Sequence, residues 1–161
     1  MKKWILFLIF FTFSFSAYAE NDYDFRDVKW GMSRVEVIAA EDMKPLRITE
    51  KYISYKFELM GSDIFLLYEF FDNSLLGANY VYETSDDEKF SKIFQTLKIK
   101  YGNPEKRSND YFWETEEVEI YLKKNPSLFK IKYTSRKMNQ YINEYKEELD
   151  EKEKKHLLSI L

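Results

Sequence analysis

The chain has no cysteine, and among its 161 residues there are only four glycines, three prolines and one histidine. Without cysteine there is no disulfide framework, no thiolate metal site, no cysteine nucleophile and no thiol redox chemistry. Packing and backbone pairing alone must hold such a fold in an oxidising compartment. The lone histidine, His156, sits in a charged segment close to the C-terminus. A Ser-His-Asp arrangement is not easily built there, and a cation near the end of a helix suits the helix dipole. A basic excess is missing too, since 25 Lys and Arg stand against 28 Asp and Glu. That balance argues against nucleic acid or an anionic membrane surface as partner, because both select for clustered Lys and Arg.

The long apolar run lies at the N-terminus. Lys2 and Lys3 precede residues 4–15, which are apolar except for Thr12 and Ser14, and Ala17-Tyr18-Ala19 follows. These are the three parts of a secretory signal peptide, with cleavage expected after Ala19. The run falls short of the roughly 20 residues that a spanning helix needs. The expectation is a periplasmic or secreted protein that begins at Glu20 and has no integral membrane span after cleavage. No cysteine stands at the cleavage point to carry a lipid. Removing residues 1–19 takes away two lysines and no acid, so the formal charge of −3 becomes more negative by two.

What is abundant is aromatic. The 14 Phe, 13 Tyr and three Trp argue strongly against disorder, and the length suits one domain with a real core. Ser33 to Glu36 has the spacing of a capping box, and Val35, Ile38, Ala39 and Met43 recur at helical spacing, which predicts a helix over 34–42 ended by Pro45. Ile53, Tyr55, Phe57 and Leu59 alternate with polar residues, as a half-buried strand does. Residues 64–71 form an almost unbroken apolar run, the pattern of a central strand covered on both sides. A third strand is expected over 75–82, and the short turns between these strands require antiparallel neighbours.

The order then recurs. Ser85 and Glu88 have the spacing of a second capping box, and Phe90, Ile93, Phe94, Leu97 and Tyr101 make one helical stripe. Gly102 and Pro104 stop it. Strands are expected at 111–114, 118–122 and 129–133. The chain thus predicts an α+β domain over 20–135, an antiparallel sheet with helices on one face, in a tandem α-β-β-β arrangement over 33–83 and 85–134 that suggests an internal repeat. A C-terminal amphipathic helix over 136–161 follows, with Met138, Tyr141, Ile142, Tyr145 and Leu149 on one side. The expected core comprises Trp30, Val35, Ile38, Phe57, Leu66, Phe70, Phe90, Phe94, Leu97, Trp113, Ile120 and Ile131.

Trp30-Gly31-Met32-Ser33, followed by Glu36-Val37, resembles the opening of a group of small exported bacterial proteins. Tyr101-Gly102-Asn103-Pro104 is similar to the helix stop of that group, and Trp113 lies in the strand that follows. These motifs mark a capped helix start and a glycine helix stop and carry no catalytic signature. More distantly, the helix-then-sheet units resemble the outer-membrane assembly lipoprotein of the BamE type and the duplicated β-lactamase inhibitor protein. That resemblance implies a role through protein–protein contact, on a chain without the lipid-anchor cysteine of the first or the disulfides of the second.

Three groups of residues invite chemistry. Asp22, Asp24 and Asp27 are close together, but a calcium loop also needs a turn glycine and a late glutamate, and here Arg26 intrudes. Glu114, Glu116, Glu117 and Glu119 flank a hairpin, where alternation puts Glu117 and Glu119 opposite Val118 and Ile120 on the wet side. Acids there protect a sheet from edge-to-edge aggregation. The tyrosines Tyr52, Tyr68, Tyr80, Tyr82, Tyr121 and Tyr133 all fall in strands, where packing alone favours them. An exposed aromatic sheet face would instead bind a partner, and Tyr68, Tyr80, Tyr82 and Tyr121 are the candidate binding residues. No catalytic residue, metal ligand or cofactor site is expected. The leading expectation is a non-enzymatic exported binding or accessory protein that engages another envelope protein. The alternatives are a hydrolase of cell-wall or sugar substrates using paired carboxylates, and a carrier of a small apolar ligand.

Overall fold

A computed structural model describes residues 24–160, so the expected signal segment, its cleavage point after Ala19 and Asp22 lie outside the described residues. The elements run α1 (Arg34–Ala40), β1 (Arg47–Ile48), β2 (Tyr52–Leu59), β3 (Ser62–Phe71), β4 (Ser74–Tyr82), α2 (Asp87–Tyr101), β5 (Glu105–Arg107), β6 (Asp110–Glu114), β7 (Val118–Lys124), β8 (Phe129–Ser135) and α3 (Arg136–Ile160). All eight strands form one antiparallel sheet in the order β1-β2-β3-β4-β8-β7-β6-β5. The protein is therefore α+β, with the helix-then-strands order occurring twice. Each helix is followed by four strands, not the three expected. The extra ones, β1 and β5, are two and three residues long and form the two sheet edges. Runs that short leave no period to detect.

The register places one residue of every long strand in each row of the core face. Ile53, Tyr68, Ala78, Tyr133, Ile120 and Trp113 make one such row, and Tyr55, Leu66, Tyr80, Ile131, Leu122 and Tyr111 the next. Helix α2 covers one half of this face. Phe94 meets Tyr111 and Trp113 at ring-centroid distances of 4.6 and 6.2 Å, and Phe90 meets Phe129 at 5.6 Å. On the other half lie α1 and a tight turn closed by a backbone bridge between Phe25 and Val28. The Phe25 ring is the hub there, between 4.9 and 6.0 Å from the rings of Trp30, Tyr68, Tyr80 and Tyr133.

Both helix starts are capped, though not identically. Ser33 and Glu36 form the reciprocal box, with the Ser33 N–H donating to the Glu36 carboxylate at 2.8 Å. In α2 the cap is Asp86 and not Ser85. The Asp86 carboxylate accepts from the N–H groups of Glu88 and Lys89 at 2.8 and 3.1 Å, and a carboxylate at that position also favours the helix dipole. Gly102 ends α2 at φ +84°, where a side chain would be strained. Val35 is the one expected core residue that the fold turns outward, at 76% exposure, and Val37 is buried in its place. Two positions along a helix are about 200° of rotation, so one short helix cannot bury both. The other expected core residues all belong to the apolar cluster on the core face.

Strand β3 is not covered on both sides as its apolar run suggests. Ile64, Leu66, Tyr68 and Phe70 are buried, whereas Phe65, Leu67 and Phe71 on the opposite face are only half-buried. Helix α3 lies against that second face at one end. Its N-terminal half buries Ile142 and sets the Tyr145 ring 5.7 Å from Phe71, and residues 143–159 are exposed. Helices α1 and α2 thus share one face while α3 begins on the other. No helix among the described residues is long and apolar enough to cross a membrane.

The seam between the two halves is the β4–β8 pairing, and it requires a missing side chain. A Cβ on Gly77 would lie 2.5 Å from the Tyr133 carbonyl oxygen, which is backbone and cannot swing aside. Gly77→Ala is expected to lower stability by about 1–3 kcal/mol. Gly61, at φ +65° with nothing within 4 Å of such a Cβ, should accept Asn, a residue tolerant of that conformation, at much smaller cost. Denaturant midpoints of the two variants against wild type check this.

Candidate binding face

The face opposite the core is the more exposed side of the sheet, although Ser54, Asn79 and Phe112 on it are buried. Its rows follow from the same register. One runs Ser54, Leu67, Asn79, Lys132, Tyr121, Phe112, and a second runs Lys56, Phe65, Val81, Lys130, Lys123, Asp110. Apolar residues gather towards the two ends and lysines occupy the middle. At the β1–β4 end, Leu46, Arg47, Tyr52, Ser54, Phe65, Leu67, Val81 and Glu83 line an open groove. Leu46 and Ile48 beside it are 60% and 56% exposed. Such a contiguous apolar area, rimmed by charge, is a feature of interaction sites. A second groove shares Tyr52 and Leu67 and continues past Phe71 and Leu76 to Lys146 of α3.

Four aromatic rings of this face each carry a cation. Arg47 lies 5.7 Å from the centroid of Tyr52, Lys56 5.5 Å from Phe65, Arg107 3.4 Å from Phe112 and Lys123 5.9 Å from Tyr121. The attraction of each cation to its ring draws the long aliphatic stem over apolar surface while the charged head stays wet. Ion pairs order the same side chains, with Lys56 on Asp63 at 2.7 Å and Lys123 on Asp110 at 2.6 Å. Asn79, at the centre, donates to Glu69 at 2.8 Å. The surface is a patchwork of rings, stems and paired charges.

Of the four tyrosines expected to bind, the fold places three elsewhere. Tyr68 and Tyr82 are buried on the core face and Tyr80 is half-buried beside them, so all three point away from the open face. Alternation decides this, because all three share parity with Ile64, Ala78 and the rest of the core rows. Tyr121 alone lies on the open face, its ring 4.8 Å from Phe112. The residues that sequence reasoning passed over are Leu46, Ile48, Phe65, Leu67 and Val81. The signal for Phe65 and Leu67 is the apolar run of residues 64–71, which suits either face, and that for Leu46 and Ile48 is the apolar–Arg47–apolar alternation after Pro45.

The buried tyrosines have a different role. Arg26, held at φ +51°, reaches in from the N-terminal turn and donates to both oxygens of Glu41, at 2.9 and 3.1 Å. The Tyr68 hydroxyl donates to the same carboxyl group, which is 1% exposed, and the Arg26 charge also acts on the nearby Tyr80. This cluster ties the first turn and the end of α1 to the middle of the sheet. Burial pushes the Tyr55 and Tyr82 phenols up to about 12, and Tyr68, Tyr80 and Tyr133 are also raised, chiefly by burial.

The acids proposed for other chemistry are spread out. Asp24 accepts from the Trp30 N–H at 2.7 Å, closing the first turn, and Asp27 is exposed. Glu114 pairs with Arg136 at 3.1 Å, Glu116 and Glu117 are exposed, and Glu119 lies on the open face. Among the described residues no three His, Cys, Asp or Glu side chains are grouped so as to hold a metal ion. His156 is exposed on α3.

The fold and this face together define an α+β protein whose single sheet is packed on one side and largely open on the other. The chain belongs to the TP0088 domain family, whose model matches residues 23–145. No curated protein and no solved structure matches it.

Two outcomes follow from the buried cluster. The raised phenols resist ionisation only in the folded state, so their contribution to stability is intact below about pH 10 and is lost as pH rises from about 10 towards 12. Phenolate absorbance should show these tyrosines ionising together with alkaline unfolding and not before it. Glu41→Ala leaves Arg26 without its partner and the Tyr68 hydroxyl unsatisfied, and is expected to cost about 3–5 kcal/mol in a denaturation experiment.

Proposed function

We propose that this protein is a non-enzymatic exported accessory protein that acts by protein–protein contact in the bacterial envelope, and that its contact surface is the open sheet face. The observation that carries this reading is the groove of Tyr52, Phe65, Leu67 and Val81, flanked by the exposed Leu46 and Ile48. Half-exposed rings and aliphatics with charged rims give an interface its apolar centre and its orientation. The sequence supports export through the signal-peptide pattern of residues 1–19.

Carboxylate-based hydrolysis has less support. A glycosidase holds two acids about 5–10 Å apart across a cleft, one of them with a raised pKa. Here no strand acid among the described residues is buried, and Glu41, which is, is occupied by Arg26 and Tyr68.

The reading is tested with the full chain as bait in cross-linking to envelope extracts. Leu67→Glu and Tyr52→Ala should each reduce recovery of a specific partner by at least about tenfold while circular dichroism stays unchanged. Ile99→Glu, at a position of α2 that is 86% exposed, should bind as wild type does. Equal recovery by all three variants would place the contact elsewhere.

A further inference from the structure

The β1 edge of the sheet is shielded over only part of its length. Strand β1 pairs with Ile53 and Ser54 of β2, and past Ser54 the outer side of β2 is open as far as the turn at Met60 and Gly61. The open stretch is residues 55–59, with Phe57 at its centre. Main-chain groups alternate along β2. The carbonyl oxygens of Tyr52 and Ser54 accept from Thr49 and Leu46 on the β1 side, at 2.9 and 2.8 Å, whereas that of Lys51 accepts from Phe70 of β3 at 2.8 Å. By this alternation the N–H and C=O groups of Lys56 and Glu58 point outward. Among the described residues neither has a main-chain partner there. Unpaired edge groups of this kind are a template for another strand.

The side chains of this stretch select which strand. Lys56 and Glu58 are both exposed on the open face, while Phe57 and Leu59 lie on the core side, half-buried and 44% exposed. Glu58 stands directly opposite Asp63 in the β2–β3 register, an unfavourable pairing of like charges. Lys56 reaches Asp63 at 2.7 Å, and Glu58 has no ion pair among the described residues.

We propose that this edge pairs antiparallel with the same edge of a second copy, about a two-fold axis at Phe57 perpendicular to the sheet. Lys56 then lies opposite the second copy's Glu58, and Glu58 opposite its Lys56. Residues directly opposite in an antiparallel pair share a face, so both contacts join opposite charges. Both are also positions whose outward main-chain groups meet and exchange N–H···O bonds. On the core side Phe57 meets its counterpart, and Leu59 lies opposite the second copy's Tyr55. Slipping the register by two residues sets Lys56 on Lys56 or Glu58 on Glu58, and a slip of one mismatches the main-chain groups. The register that charge selects also fills the open stretch from end to end, because 55–59 oppose 59–55. The edge is thus self-complementary, as an isologous contact must be. With the axis perpendicular to the sheet, the two open faces look the same way and join as one surface.

The test is sedimentation equilibrium on the full chain, with hydrogen exchange of the β2 amides. Wild type should dimerise, and the Lys56 and Glu58 amides should exchange more slowly as the dimer forms. Lys56→Glu and Glu58→Lys should each weaken self-association by at least about tenfold, because each sets like charges across the axis. Mixing these two variants should restore association, since every opposed pair between them is again of opposite sign, and the double variant should dimerise as wild type does. Recovery on mixing also shows that both single variants are folded. A wild type that stays monomeric at every accessible concentration overturns the proposal. So does a dimer indifferent to the single reversals, one that neither mixing nor the double variant restores, or one in which the Lys56 and Glu58 amides still exchange freely.

Discussion

The molecule depends on the pairing of β4 with β8. Each half of the chain makes a four-stranded ladder by local turns, and β4 and β8 are the last strands of the two. Joining their last strands gives one sheet whose core rows run unbroken from Ile53 to Trp113. The seam is closed by rings, with Tyr82 stacked on Phe129 at 4.4 Å and Tyr80 edge-on to Tyr133 at 6.3 Å. It is also closed by an absence, since Gly77 lets the Tyr133 carbonyl approach as no larger residue could.

A sheet this wide has two faces, and among the described residues only three helices cover them. The core face takes α1, α2 and the N-terminal turn, which is pinned by Phe25 and by the Arg26–Glu41–Tyr68 bonds. The other face receives only the start of α3. Antiparallel sheets tolerate this because side chains alternate, so one face can pack while the other is wetted. What distinguishes this open face is its composition. Rings and aliphatics stand where plain polar residues would suffice for solubility, and cations lie over the rings.

Much of the fold was legible from residue spacing. The Ser33–Glu36 box, the Phe90-to-Tyr101 stripe and the alternation of residues 53–59 and 118–122 mark elements that local chemistry nearly dictates. The errors were of a different kind. Val35 matched the helical period yet faces water, because a helix of seven residues contacts the sheet along one narrow line. Tyr68, Tyr80 and Tyr82 were singled out as surface candidates by residue type, but parity with Ile64 and Ala78 sends them inward. Phe65 and Leu67 stand in an apolar run that suits either face, and the core covers only the other parity. The Arg26–Glu41 contact joins positions far apart in sequence around a buried carboxyl group, and no short-range pattern announces it.

The sequence by itself determined which segments are helices and strands and that short turns make the strands antiparallel neighbours. Spacing, capping and turn chemistry act over a few residues and need no knowledge of the rest. Only the tertiary structure decided which parity of each strand meets the helices, and therefore which aromatic residues are core and which are surface. That choice belongs to the order of strands across the seam and to how far the helices reach, and both are set by contacts between distant parts of the chain.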